Sequence, residues 1–408
     1  MKQEEFIKKV HEKYEQLTPD QQDDFFTSDI SFSTSHRKVA ISVFTIIACV
    51  ILVGTSFTYI TAKRASRVEI QDHSQKNLSD IHSNYIWTPT LKLVWQELKQ
   101  KLGHDIELLN PNLSNEDLEL IADLNKEEIF GQSLVLADRV AEGERKLDIS
   151  SLFGEDNYYY VCGKADLSLK EKIEKEIKQK FGTTSDLIEQ INWNTSPEQQ
   201  RYLLYNMLYK NFTFPVPFDM LEEDYFASSE EKISYFGIDS NSDDMLKENV
   251  KVLFYHDVQD FAVILKTTEE DEVILYRTND TNSSFEELYH RLEQQKQQNV
   301  DFTSQDTLKV PVLNINKFVE YEQLEGPIKG EKIIIEQVLQ QVKFRLDHTG
   351  GTLQSEASME LNKAEVITPQ APRYFDFTNS FVLFLKEKEK QIPYFALKIN
   401  DITCMEGR

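Results

Sequence analysis

Eight histidines are scattered through 408 residues with no H-E-x-x-H pair and no cysteine/histidine cluster, so zinc chemistry is not expected. No G-x-S-x-G elbow presents a serine nucleophile, and no G-x-G-x-x-G or phosphate-cradling loop serves a nucleotide. The 69 acidic side chains are too many for any two to stand out as a general acid and base. Three cysteines, Cys49, Cys162 and Cys404, make no disulfide framework, since one lies inside an apolar run. These residues point away from an enzyme, a metal site and a cofactor. What remains is a spacing of two over 352–361. Thr352, Gln354, Glu356, Ser358 and Glu360 fall on one face of an extended chain, and Leu353, Ser355, Ala357, Met359 and Leu361 on the other. The chemistry open to such a segment is backbone pairing, either as a permanent strand, as an amphipathic exposed loop, or as a strand that joins a sheet later.

The elements that would position this segment begin beyond a membrane span. Residues 39–62, VAISVFTIIACVILVGTSFTYITA, carry no charge, and 24 residues at about 1.5 Å each cross a hydrocarbon core of roughly 30 Å. Residues 1–38 form a polar tail in which Phe6, Val10, Tyr14 and Leu17 recur at helical spacing before a Thr18-Pro19-Asp20 breaker. Residues 63–83 are polar and predict a stalk. Near the span, Arg37 and Lys38 precede it and Lys63, Arg64, Arg67 and Lys76 follow it. That count alone favours a cytoplasmic C-terminal part, but long domains follow the rule poorly; the expectation is a single-pass protein with its large domain on the outer face. A net charge of -24 disfavours a nucleic-acid partner, whose binding relies on Lys and Arg. Helices are predicted at 90–102, 169–181 and 284–295, and strands at 250–255, 261–266 and 272–277. Val342, Phe344 and Leu346 alternate with Lys343 and Arg345, which predicts a strand with one buried face.

Three separated stretches resemble the serpin (serine protease inhibitor) family, in that family's order. Asn84-Tyr85-Ile86-Trp87-Thr88-Pro89 is similar to the entry of its central buried helix, with Thr88 in place of serine. Residues 205–219, YNMLYKNFTFPVPFD, resemble a strand pattern of the family through Asn206, Tyr209, Pro217, Phe218 and Asp219, with Phe214 at the family's tryptophan. Residues 333–352 resemble the strand and hinge ahead of a reactive loop, and 377–395, containing Phe381, resemble the closing hairpin, with Ser380 in place of proline.

The resemblance implies an α+β domain over 84–408, with a large mixed β-sheet, surrounding helices and an exposed reactive loop near 351–373. It implies inhibition of a serine or cysteine protease: the loop is cleaved and enters the sheet as a new strand, driven by stored strain. Gly351 and Thr352 match the hinge, Gly350 adds freedom there, and Ala357 and Ser358 lie in the entering segment. The acidic residue usual before the hinge glycine is missing. Counting from the hinge lands near Glu365-Val366, which suits a glutamate-specific protease, and Lys363-Ala364 nearby suits a trypsin-like one. In the family's register Glu356 and Glu360 turn inward, at a cost of several kcal/mol each. A one-residue shift turns Leu353, Ala357, Met359 and Leu361 inward instead. The second reading implied by Gln354, Glu356 and the missing acid is a non-inhibitory serpin-fold binding or regulatory membrane protein.

Overall fold

The computed structural model describes residues 68–405, apart from 72–73, 81–82, 138–145, 149–151, 153–157, 186–187, 189–190, 192, 194–199, 210–211, 281, 297–299 and 352–370. The tail helix, the membrane span, Thr352, Ala357, Ser358 and the scissile-bond candidates Lys363, Ala364, Glu365 and Val366 lie outside the described residues. Among those described, no helix is long and apolar enough to cross a membrane.

Three sheets organise the domain. The largest joins β1 (Val68–Gln71), β2 (Asn84–Trp87), β12 (Val250–Asp257), β13 (Asp260–Lys266), β14 (Asp271–Arg277), β21 (Phe381–Glu387) and β22 (Phe395–Ile399) in the order β1-β2-β22-β21-β14-β13-β12. Only the β1–β2 edge pair is parallel there. A second sheet runs β10 (Asp219–Tyr225), β11 (Lys232–Ile238), β15 (Thr307–Pro311), β20 (Tyr374–Asp376). The third runs β16 (Leu313–Glu320), β18 (Ile333–Leu346), β8 (Gln200–Tyr209), β7 (Tyr158–Lys164), with the short β17 (Gly326–Pro327) also on β18. Small pairs complete the set: β3 (Glu128–Ile129) with β4 (Gln132–Ser133), β5 (Val135–Ala137) with β6 (Lys146–Asp148), and β9 (Phe212–Thr213) with β19 (Gly350–Gly351).

The helices are α1 (Thr90–Leu102), α2 (Asn115–Asn125), α3 (Leu167–Phe181) and α4 (Phe285–Gln295). α1 follows Pro89, whose carbonyl accepts from the Leu93 N–H, and ends where Gly103 takes φ +77° and donates to Lys99 O. It is buried on more than one side: Leu93 joins the largest core, whereas Leu91, Val94, Trp95 and Leu98 pack in a second core against Leu204 of β8 and Ile335 and Val338 of β18. α2 and α4 each begin with a reciprocal capping box, Ser114 with Asp117 and Ser284 with Glu287. The predicted start of α3 at 169 moves to Leu167 because the Asp166 carboxylate caps the Leu169 N–H.

The predicted stalk is corrected by β1, which pairs in register with β2 from Val68↔Asn84 to Gln71↔Trp87. Leu78 is fully buried, with Lys398 donating to its carbonyl. Four edge residues buried on one side only, and one isolated leucine, leave a pattern too sparse for periodicity to register.

Asn84 explains how this edge is fixed. Its Nδ2 donates to Asp401 Oδ1 at 2.7 Å and Thr403 Oγ1 at 2.6 Å, and its Oδ1 accepts the N–H groups of Asn400 and Asp401 at 2.7 and 3.1 Å. One fully buried amide therefore ties the entry of β2 to the chain leaving β22. Asn84→Ala removes the acceptor of two backbone N–H groups and the donor to Asp401 Oδ1 and Thr403 Oγ1, so a loss of about 3 kcal/mol is expected. The check is a lower urea midpoint with an unchanged slope.

Candidate functional site

The third sheet holds a parallel pair at its centre. β18 and β8 run in the same direction from Ile333↔Gln200 to Lys343↔Tyr209, while β16–β18 and β8–β7 are antiparallel. β18 is well suited to this place by its apolar β-branched residues Ile333, Ile334, Ile335, Val338 and Val342. Two adjacent glutamines break that run, and alternation sends their amides to different partners. Gln340 accepts from Tyr321 Oη at 2.6 Å and donates to Thr90 Oγ1 at 2.9 Å, with Thr90 Oγ1 3.0 Å from Thr88 Oγ1. Gln341 accepts from Ser185 Oγ at 3.2 Å and donates to Asn316 Oδ1 at 3.2 Å; Ser185 Oγ itself accepts from Tyr205 Oη at 2.8 Å. Between the strands Asn206 Nδ2 donates to Leu339 O at 3.0 Å, while its buried Oδ1 has no partner among the described residues.

The ladder slips at Glu336, between Ile335 and Gln337. Arg201 of β8 grips the bulged residue through Nη1, 2.5 and 2.6 Å from the two carboxylate oxygens. Beside the bulge, Glu325 has a buried Oε1 with no hydrogen-bond partner among the described residues. Burial first, then the charge of Glu320, pushes its carboxyl up to about 7, and Glu322 and Glu336 add to the rise against the opposing N–H of Val338.

After β18 the chain turns sharply. Asp347 N–H donates to Gly350 O and Gly350 N–H to Asp347 O, at 2.9 and 3.1 Å. The Asp347 carboxylate accepts from the Thr349 N–H at 2.8 Å and Thr349 Oγ1 at 2.6 Å, and lies 3.1 Å from Arg345 Nε. The acid absent beside the hinge glycine is thus present four residues ahead of Gly351, where it holds the turn. Gly350 has φ +126°, and a Cβ there would lie 2.4 Å from Phe212 O. At Gly351 the nearest atom to a Cβ is Arg345 O at 3.0 Å.

The structure brings two of the predicted stretches together at this turn. Phe214 N–H donates to Thr349 O at 3.0 Å and Phe218 N–H to His348 O at 2.8 Å, and Phe214 and Phe218 pack edge to face at 4.8 Å. Phe212, which departs from the family pattern, is buried against Gly351. Pro217 is exposed. Thr88, Pro89 and Asn206 lie at or beneath the parallel pair. Asn84 and Phe381 belong to the largest sheet, remote in role from the turn, with the Phe381 ring tilted against Phe377 at 5.1 Å.

The chain that follows residue 370 is also pinned. Arg373 donates its N–H and Nε to Asp306 Oδ1 at 3.0 and 3.2 Å and its Nη2 to Asp306 Oδ2 at 2.7 Å. Burial raises the Asp306 carboxyl, but the Arg373 and Thr303 hydrogen bonds outweigh it and leave the group below its usual range. Sequence reasoning missed Asp306, Asp347, Tyr321, Gln340 and Gln341. The one signal available for the glutamines was the polar interruption of an otherwise apolar strand.

Two outcomes are expected here. Gly350→Ala should cost about 2 kcal/mol, and more than Gly351→Ala, because the added carbon meets backbone at positive φ rather than a 3.0 Å contact that can relax; paired denaturant titrations give the comparison. Glu325 is protonated in the fold up to about pH 7 but in the unfolded chain only to its ordinary 4.5. Its contribution is therefore full below pH 4.5 and falls away as pH rises through 7, by on the order of 2 kcal/mol after solvent screening. Hydrogen exchange at Val338 and Leu339 should quicken from pH 5 to 8 beyond the intrinsic increase, and Glu325→Gln should remove the excess.

No known family model matches the sequence, and no curated protein matches it. Among solved structures, the chain is similar to Serpin48 of the insect Tenebrio molitor at 15% identity, over 78% of this chain and 92% of that one, with a TM-score of 0.40. Mouse protein-Z dependent protease inhibitor matches at 13% identity, over 78% and 91%, with a TM-score of 0.47. Human thyroxine-binding globulin complexed with its hormone matches at 8% identity, over 79% and 93%, with a TM-score of 0.46. These likenesses are distant, and none of them assigns a family or an activity to this chain.

Proposed function

We propose that the domain is a serpin-like inhibitor of a serine or cysteine protease, tethered by residues 39–62 and displayed on the outer face of a membrane, with 352–370 as the bait. No catalytic residue is assigned to it. The observation that carries the reading is the parallel β8–β18 pair followed by the Asp347–Gly350 turn. A segment leaving β18 through a tight turn runs antiparallel to β18, and so antiparallel to β8 as well. Entering between them, it replaces one parallel ladder by two antiparallel ones, the slightly more stable pairing per residue. The registered stretch, Ile333 to Lys343, matches the length of the alternating segment 352–361.

One observation favours the second reading, a non-inhibitory binding or regulatory protein of the same build. The expectation that a one-residue shift leaves the carboxylates in water meets a strand covered on both faces. Leu204 of β8 packs under α1, while Leu203, Tyr205 and Met207 pack with Ile173, Ile177 and Phe181 of α3. An entering strand therefore finds α3 near the face on which Glu356 and Glu360 would emerge.

Nicking the purified protein between 352 and 370 distinguishes the two. Inhibition by insertion predicts a melting temperature raised by tens of degrees, since a whole added strand is worth many kcal/mol, and an SDS-resistant adduct with the target protease. If nicked and intact protein melt together, the inhibitory reading fails and the binding one stands. Membrane placement has its own check: cysteine introduced at Gln305, an exposed position, reacts with an impermeant maleimide on intact cells if the domain is outside.

A further inference from the structure

A cleft of about 150 Å³ opens between the end of β2, the first turns of α1, the end of α2 and the β3–β4 hairpin. Its apolar wall is Trp87 and Phe130, whose ring centroids lie 4.9 Å apart. Phe130 and Gly131 both take positive φ, 51° and 70°, and form the two-residue turn between β3 and β4. For a phenylalanine that conformation is strained. It is held by packing, with Trp87 on one side and Tyr289, at 5.6 Å, on the other. The hairpin is thereby fixed as a rigid side of the cleft.

The polar side of the cleft is Lys92, a residue with 7% of its surface exposed. Its ammonium donates to Asp123 O and stands 3.5 Å from Asp123 Oδ2. Lys126 shares the same carboxylate, at 3.4 Å, and Glu128 lines the mouth. An enclosed amine, a carboxylate within reach of it, and an apolar wall facing both are the parts needed to capture a carbonyl compound.

We propose that Lys92 is a carbonyl-reactive amine, a covalent site for small aldehydes that enter this cleft. The volume is of the order that accepts a benzene-sized molecule, which sets the upper size. The Lys92 lone pair attacks the carbonyl carbon, forming the C–N bond. The carbonyl oxygen takes up a proton, giving a carbinolamine. Asp123 Oδ2 is placed to take one proton from nitrogen and return one to the departing hydroxyl, so that water leaves and an imine remains. Aldehyde and amine thus yield imine and water with no oxidant or reductant. A protonated imine keeps the positive charge facing Asp123, so the ion pair survives the reaction. Burial supports the same conclusion, since it outweighs the attraction of Asp123 and lowers the Lys92 pKa to about 8. About a tenth of such amines are neutral at pH 7, against roughly one in three thousand for an ordinary lysine. Lys126 opposes protonation as a like charge, whereas Glu128 favours it more weakly than Asp123.

The test treats the full-length protein briefly with acetaldehyde and cyanoborohydride, which reduces the imine to a stable ethyl-lysine, and maps the products by peptide mass spectrometry. Lys92 should be modified at least ~10-fold faster than the exposed Lys329 and Lys388, with a rate that rises with pH to a half-maximum near 8. Pyridoxal phosphate, too large and too acidic for the cleft, should show no preference for Lys92. Lys92 reacting no faster than the two exposed lysines, or both aldehydes selecting it equally, overturns the proposal. Because the rates are read in the unmodified chain, the outcome does not depend on how a variant folds.

Discussion

The parallel ladder between β8 and β18 is the constraint on which the rest of the domain depends. Parallel neighbours cannot be joined by a hairpin, so the chain that leaves β8 must build much of the molecule before it returns. It forms β9 to β17 and α4 on the way, supplying three of the four strands of the second sheet and three of the seven strands of the first. The position of Gly350 and Gly351 follows from that detour. They meet Phe212 and Thr213, the first residues to pair after β8 ends, so the start and the finish of the excursion are stitched together in the short β9–β19 pair.

The centre of this ladder is polar where an apolar strand would be simpler. Gln340, Gln341 and Asn206 are buried, and each side-chain bond they make reaches a different element: α1 through Thr90, β16 through Asn316, the Ser185 segment, and the facing backbone at Leu339. Buried polar groups with specific partners fix register more strictly than they add net stability. Of these only the Asn206–Leu339 bond joins β8 to β18 directly; the glutamines tie β18 to α1, β16 and the Ser185 segment, and Ser185 in turn accepts from Tyr205 of β8.

Periodicity made the regular elements legible. α1 and α4 stand where apolar spacing predicted them, α4 with an apolar stripe behind a capping box and α1 with apolar residues on more than one side after Pro89. β12, β13 and β14 were equally plain, being short apolar runs between turns. β1 was not, since an edge strand of four residues with one buried face leaves almost no pattern. The candidate site was legible at its glycines, at Asn206, and through the resemblance at Thr88 and Phe218. Asp347 escaped because its role lies in a turn whose geometry joins residues three apart, and Glu325 because its chemistry comes from three carboxylates brought together from β16, the Glu322–Leu324 turn and β18. Neither arrangement leaves a trace in composition or spacing.

Two opposing demands meet at the same strand. A device that opens between β8 and β18 needs the ladder to be metastable, yet the coverings of its two faces hold it shut: the α1 core with Thr90 and Tyr321 on one side, the α3 core with Tyr205 and Leu339 on the other. The bulge at Glu336 lies at the end of the ladder farthest from the turn, next to the clustered carboxylates, and the Asp347 turn lies at the end where a strand would first enter. Under the proposed insertion, an entering strand would start at the glycines and meet the polar bonds of Gln341 and Gln340 within a few residues. In that proposal the slightly better antiparallel pairing is gained only beyond those bonds, so the two glutamines would contribute to the barrier and the alternation of 352–361 to the gain.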